Sequence, residues 1–231
     1  MPAVEDLKIL AEIPLFAGLG KEDLTALNNL LHRKNFTSGT NIITVAQPGE
    51  LVYILLDGTV KIYVDQIDGS EVILAFLGPG DTFGEMSMVD SAGRSANVVT
   101  LEKSVCLVMD RQSFHHCLRN MKELSYNLVT LLSRRLRLAN EQIQALSTLD
   151  VRGRVARQLI AFAQQYGRPD PSNNVHIPLR LTQTDVAALV GASRERVNQV
   201  IVDFKDSGYI SVDPTHRFTV HDLEALVGRC Q

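Results

Sequence analysis

The sequence predicts an α+β protein in three parts: an N-terminal antiparallel β-roll, a long helix suited to dimerisation, and a C-terminal winged helix-turn-helix. Three observations carry that expectation. Between Phe36 and Arg111, short β-branched and aromatic runs are cut by Pro48-Gly49, Asp57-Gly58, Asp68-Gly69 and Gly78-Pro79-Gly80. From Ser113 to Asp150 there is neither glycine nor proline. Beyond Thr182, two short helical patterns are joined by the three-residue turn Gly191-Ala192-Ser193. The expected domains are residues 1–119, 120–149 and 150–231.

Each element has its own signal. Glu5 to Leu31 reads as short helices around a turn at Pro14 to Leu19, with Leu24, Leu27 and Leu31 at helical spacing. From Phe36 the period shortens, and turn signals roughly every ten residues favour a rolled antiparallel domain over a parallel sheet. A last strand pair, SANVVTLEKSVCLVMDR, closes the roll at about Arg111. In the helical run, Val129, Leu132, Leu136, Ala139, Ile143 and Leu146 recur at alternating steps of three and four, the a and d positions of a coiled coil. The flanking Arg134, Arg135, Arg137, Glu141, Gln142 and Gln144 leave a narrow seam, which suits a second copy of the chain. The alternative is a helix packed on its own β-roll. Asp150 is placed to N-cap the helix VRGRVARQLIAFAQQYG, which Gly167 and Pro169 end, and RPDPSNN reads as a loop. Thr182 with Asp185 forms a capping box for QTDVAALV, Ser193 opens RERVNQVIVDFKDSG, YISVDPTHRFTV reads as a hairpin wing, and HDLEALVGRC as a last helix.

Composition narrows the class. At 231 residues and 45 % hydrophobic, the chain can bury sizeable cores. No basic start precedes an apolar core, and no run approaches the roughly 18 apolar residues of a spanning helix, so a cytoplasmic protein without a membrane partner is expected. Cys106, Cys117 and Cys230 are odd in number and lack Cys-x-x-Cys spacing, which suggests neither a disulfide framework nor a zinc knuckle. The formal charge is −3, yet from Asp150 onward 10 Lys and Arg face 9 Asp and Glu. The C-terminal part is therefore the better candidate to meet a polyanion.

Two constellations carry chemistry. The major groove admits one α-helix, and residues at that helix's N-terminus reach base edges. Arg194 and Glu195 hold that place: arginine pairs two donors with guanine O6 and N7, and glutamate accepts from cytosine N4. Asn198 and Gln199 lie one turn on, while Ser193, Thr182 and Arg180 are placed for phosphates, which fix register without reading sequence. The plainer reading is a solvated helix face. Val186, Leu189, Val190, Val197 and Val200 supply the core that a helix-turn-helix needs.

The second constellation is GDTFGEMSMVDSAGRSANVV, Gly80 to Val99. A glycine turn leading into a few helical residues, with Arg94 nearby, suits a phosphate. Glu85 would repel one, but it can accept from a sugar hydroxyl. A phosphodiester fused to a ribose meets both demands, with Arg94 on the phosphate and Glu85 on the 2′-hydroxyl. The plainer reading is a surface pair between Glu85 and Arg94.

Together these residues resemble the cyclic-AMP receptor protein and fumarate-nitrate regulator superfamily of bacterial transcription factors, whose sensing domain is a cyclic-nucleotide-binding β-roll. The resemblance spans nearly the whole chain and rests on LVYILLDGTVKIYV, GDTFGEMSM, GRSANV, RRL, LDVRGRVA and ALVGASRERVNQVI in that order. It implies a homodimeric, cytoplasmic, non-enzymatic regulator that binds double-stranded DNA and contacts RNA polymerase. Carried over, it places Gly84 and Glu85 at the ribose of a cyclic nucleotide, Arg94 and Ser95 at its phosphate, and a hinge at Asp150 to Gly153. Cyclic-AMP-responsive members carry a threonine and a serine on the dimer helix against the adenine. Here Ala139 and Asn140 stand there, and only Asn140 keeps a polar group. Arg194 and Glu195 match the residues that read a GTGA-type half-site, whereas Gln199 replaces the family's second arginine, so preference at one base pair should differ.

Other sensing modes leave traces that can be checked. Iron–sulfur sensors of this family carry N-terminal cysteines, and the first cysteine here is Cys106. Haem sensing needs axial ligands, and nothing marks His32, His115 or His116 as such; the adjacent pair on a helix points to two faces. The expectation is no metal, haem or iron–sulfur cluster. The same fold without a ligand, or gated by a cyclic dinucleotide, 2-oxoglutarate or redox chemistry at Cys106 or Cys117, stays open. A cupin-like metalloenzyme would need histidines on the strands, and Ile42 to Met109 holds none.

Overall fold

The computed structural model describes residues 3–45, 47–90 and 92–230. Two short helices, α1 (Leu7–Ala11) and α2 (Lys21–Leu30), precede eight strands: β1 (His32–Phe36), β2 (Asn41–Ile43), β3 (Leu51–Asp57), β4 (Val60–Asp65), β5 (Glu71–Leu77), β6 (Thr82–Phe83), and, after the one-turn helix α3 (Met86–Val89), β7 (Asn97–Thr100) and β8 (Ser104–Asp110). They form two four-stranded sheets, ordered β1-β8-β3-β6 and β2-β7-β4-β5. The registers are antiparallel, as in the Ile54↔Leu107 pair of β3 and β8. The rolled antiparallel domain expected from turn spacing is what forms.

Alternation along β3 explains how the roll is sealed on both sides. Val52 and Ile54 join Leu107 and Met109 of β8 in a core that also takes Leu10, Leu27 and Phe114. Tyr53 and Leu55, on the opposite face, are also buried. The strand β1 escaped the sequence reading, which began the roll at Phe36. HRKNF has no buried face: its first four residues are exposed at the sheet edge, so neither hydrophobicity nor alternation marks it.

The glycine-free run is two helices, α4 (Arg111–Asn120) and α5 (Lys122–Thr148). Asp110 caps α4 by accepting from the Ser113 backbone at 2.9 Å, and the chain breaks at Met121, where φ −115° and ψ 100° leave the helical region. The 27-residue α5 divides its faces. Leu124 and Leu128 are buried in the β-roll core and Leu132 packs partly against it. Val129, Leu136 and Ile143 are about two-thirds exposed, with Leu146 at 47 %.

Contact density divides the chain into two compact units, one holding the chain to Tyr63 plus Leu77–Arg137, the other Val64–Phe76 plus the chain from Leu138. The second contains α6 (Val151–Tyr166), β9 (Arg168–Pro169), β10 (Val175–Ile177), α7 (Gln183–Val190), α8 (Arg194–Asp206), β11 (Ile210–Val212), β12 (Phe218–Val220) and α9 (Leu223–Val227). Its sheet runs β11-β12-β10-β9. The sequence reading saw the wing but took RPDPSNN, which holds the two-residue β9, as loop and did not read β10, because strands of two and three residues are too short to show a period. No described helix is long and apolar enough to cross a membrane.

Candidate functional site

Gly84 turns the chain out of β6 with φ +80°, in the left-handed region that favours glycine. A Cβ there would lie 2.7 Å from Arg94 Nη1 and 3.1 Å from the Leu51 carbonyl. Only glycine lets the arginine approach so closely. The turn delivers Glu85 to the start of α3, where its carbonyl accepts from the Met88 backbone at 2.9 Å. Its side chain turns inward and is 1 % exposed.

That buried carboxylate is half satisfied. Oε1 accepts from Arg135 Nη1 at 2.6 Å, and Arg135 Nη2 donates to the Thr82 carbonyl. Glu85 Oε2 and Thr82 Oγ1 are buried with no hydrogen-bond partner in the described structure. A buried polar atom left unpaired costs about 1–3 kcal/mol, more when charged, and Oε2 has a hydrogen bond still to accept.

Arg94 is 8 % exposed. Nη1 donates to the Gly84 carbonyl at 2.9 Å and to Ser87 Oγ at 3.1 Å, and Nη2 donates to the Leu51 carbonyl at 2.9 Å. A guanidinium has five N–H groups, so Nε–H and one Nη2–H remain for a ligand. Burial pushes its pKa down, and the nearby Tyr53 pulls it back up. The guanidinium lines a cavity of about 140 Å³ with Ile42, Ile43, Leu51 and Tyr53. Glu85 and Arg94 therefore do not make the plain surface pair: both are buried, and Glu85 pairs with Arg135 instead.

Ser95 is exposed, its hydroxyl 3.9 Å from the Met86 sulfur. Ala139 and Asn140 are exposed on α5 and belong to the second unit. Arg135 is the residue that sequence reasoning missed. It was read as a charge flanking the helical seam. Helical phase was the available signal, since Arg135 lies one turn before Ala139 on the same face.

In the second unit, Asp150 Oδ1 accepts from the Gly153 backbone at 2.7 Å and starts α6. A Cβ on Gly153 would meet the Arg229 carbonyl at 3.1 Å and Leu149 Cβ at 3.3 Å, so a side chain at this junction requires its neighbours to give by a few tenths of an ångström. The capping box of α7 is complete: Asp185 N–H donates to Thr182 Oγ1 at 3.2 Å, and Thr182 N–H donates to Asp185 Oδ2 at 2.9 Å. Gly191 ends α7 at φ +62°, and the Ser193 hydroxyl caps α8 by accepting from Arg196 N–H at 3.4 Å. Val197, Ile201 and Phe204 anchor α8 from below. Arg194, Glu195, Asn198 and Gln199 all stand exposed on it. The carboxyl of Glu195 is held below its usual range, first by its own backbone N–H and then by the Ser193 hydroxyl. It is thus an ionised acceptor at neutral pH. Thr182 Oγ1 also donates to Asp185 at 2.6 Å, so its first commitment is to the cap.

A closed β-roll joined by a long helix to a winged helix-turn-helix defines a DNA-binding regulator with a separate sensing domain. Comparison with known proteins gives the particular group. Residues 33–121 match the cyclic nucleotide-binding domain and residues 153–229 the Crp-like helix-turn-helix domain. The chain is 35 % identical to a CRP-like cAMP-activated global transcriptional regulator of Mycobacterium tuberculosis, over 97 % of this chain and 99 % of that protein. It is 32 % identical to the cyclic AMP receptor protein of Thermus thermophilus, over 87 % and 89 % of the two chains. The structure of FixK2 from Bradyrhizobium japonicum shares the fold at a TM-score of 0.75 and 18 % identity, covering 87 % of this chain and 98 % of that one. This chain belongs to the CRP/FNR superfamily of transcription regulators and carries a nucleotide-binding domain and a DNA-binding domain. Among the described residues, no cluster of three or more His, Cys, Asp or Glu is arranged to hold a metal ion.

Proposed function

We propose that the chain is a homodimeric transcription regulator whose affinity for DNA is set by a cyclic nucleotide bound in the β-roll. The observation that carries this reading is the unpaired, buried Oε2 of Glu85 near a buried arginine with two unspent N–H groups. In this reading Glu85 accepts from the ribose 2′-hydroxyl, Arg94 and Ser95 hold the cyclic phosphate, the Gly84 turn lets the ligand approach, and Asn140 faces the base. The Mycobacterium tuberculosis and Thermus thermophilus relatives, named for cyclic AMP, support the same class of effector.

The nucleotide acts by binding the DNA-competent arrangement better than any other, since a ligand shifts an equilibrium only through differential affinity. Its route is the long helix, through a seam of Val129, Leu132, Leu136, Ala139, Ile143 and Leu146, and the Asp150 to Gly153 junction. Arg194 and Glu195 then read a GTGA-like half-site, with Asn198 and Gln199 adjusting preference and Thr182 and Ser193 near phosphates. Two such helices about 34 Å apart fit a palindrome with half-sites one turn apart. RNA polymerase is the further partner, the setting is cytoplasmic, and the chain has no catalytic role.

Calorimetry with cyclic AMP and cyclic GMP tests the reading. Binding of either, lost in Arg94→Ala, is the expected result; no heat and no change in DNA affinity with either overturns it. A second reading, the same fold gated by another anion or by none, draws on Ala139, which offers no hydroxyl to a base, and on Arg135, which already engages Glu85.

A further inference from the structure

The cavity beside Arg94 holds a second polar group that the effector reading leaves unused. Tyr53 lies mid-strand in β3, its ring stacked on Phe83 with centroids 5.1 Å apart and planes 3° from parallel. It is 7 % exposed. A phenol so buried ordinarily finds a hydrogen-bond partner. No hydrogen bond of its hydroxyl is found among the described residues, the oxygen is not one of the fully buried unpaired atoms, and the side chain lines the same cavity as Arg94. The two groups feel each other: burial pushes the phenol pKa up and the Arg94 charge draws it back down.

The cavity's size and walls limit what enters it. At about 140 Å³ it has room for a phosphate or carboxylate group. Ile42 and Ile43 form apolar walls that bring no competing acceptor. Gln47 and Glu50, both exposed, also line it, and the Glu50 carboxylate lies close enough to raise the Arg94 pKa, so an entering anion must compete with it for the guanidinium.

We propose that the Tyr53 hydroxyl and the Arg94 guanidinium together form an oxyanion subsite, the phenol donating to one ligand oxygen while Arg94 Nε–H and its spare Nη2–H donate to another. The inference rests on the reading of Arg94 as a phosphate ligand and deepens it. A neutral donor beside the guanidinium fixes the anion's orientation, so Tyr53 is a specificity-determining residue for the effector's phosphate. Stacking on Phe83 holds the ring rigid, so orienting the hydroxyl costs the ligand little.

The test compares the wild-type chain with Tyr53→Phe, both labelled with 13C at tyrosine Cζ. Of five tyrosines, the one whose resonance is missing from the variant is Tyr53. Each protein is titrated with cyclic AMP, cyclic GMP and, separately, inorganic phosphate. The expected result is a ligand-dependent shift of the Tyr53 resonance and a roughly tenfold weaker nucleotide affinity in Tyr53→Phe, with an unchanged melting temperature because the hydroxyl bonds nothing in the free protein. Nucleotide binding that is equally tight in both proteins, with a stationary Tyr53 resonance, overturns the subsite and leaves the effector reading standing. A resonance that moves with inorganic phosphate when no cyclic nucleotide binds supports the subsite and removes the effector reading. Failure of every probe to bind, with the resonance stationary throughout, removes both.

Discussion

The α8 face and the Glu85–Arg94 region use the same residue types in opposite ways. Arg194 and Glu195 are adjacent and exposed on the helix that carries them. Arg94 and Glu85 are nine residues apart, buried, and committed to internal partners, of which Arg135 is 50 residues from Glu85. The proposed function accounts for the difference. A DNA groove accepts a protruding helix, so its readers stay in water until contact, whereas a small ligand must be enclosed, so its readers are desolvated in advance. Changes in the pocket should therefore act on both folding and binding, and changes on α8 on binding alone.

Arg94→Ala is expected to have the largest effect. It removes the guanidinium and leaves the Gly84 and Leu51 carbonyls without that donor, at about 1–3 kcal/mol for each group left unsatisfied. A lower melting temperature together with lost nucleotide binding, read by thermal melts and calorimetry, is the expected outcome. An intact melt would mean that these bonds do not hold the pocket. Glu85→Gln comes next. It keeps the volume but discharges the partner of Arg135, and should weaken nucleotide binding at least about tenfold, since bonds to charged groups are worth about 1.5–3 kcal/mol. Arg194→Ala should cost about 1–3 kcal/mol at one base pair of a half-site and relax selectivity there, with no change in melting temperature. Equal weakening on every sequence, measured by anisotropy with substituted half-sites, would instead make Arg194 a phosphate contact.

How much of this could be read in advance divides along the same line. Thr182, Asp185, Gly191 and Ser193 are cap and turn residues whose roles are local, so the helix-turn-helix was legible to within two residues. The apolar row of α5 was half legible. Spacing identified Val129, Leu136, Ile143 and Leu146, which stand exposed, but not that Leu132 shares itself with the β-roll core. In the pocket, Gly84, Glu85 and Arg94 were marked by an unusual local run. Arg135 and Tyr53 were not, because their contacts are with neighbours distant in the chain. β1 was hidden for a related reason: an edge strand with no buried face has no pattern to show.

The smallest predicted effects concern single titrating groups. The Cys106 thiol is pushed up to about 12 by burial, so at pH 8 it stays protonated and should resist alkylation in the native protein, reacting only on unfolding. Rapid native labelling at Cys106, seen by mass spectrometry, would revive it as a redox sensor. Asp110 is held below the usual carboxylate range first by the Ser113 backbone N–H. Its folded pKa is depressed, so its contribution is present above the unfolded pKa and is lost as pH falls through the folded one. Asp110→Asn should flatten that part of an acid melt.

The effector reading is tested most directly by DNA affinity with and without ligand. A labelled palindrome with GTGA-like half-sites is titrated with wild-type protein and with Arg94→Ala, each in the absence and presence of cyclic AMP or cyclic GMP. Tighter binding with nucleotide in the wild type and no response in Arg94→Ala is the predicted result. Identical wild-type affinity with and without either nucleotide would contradict the account.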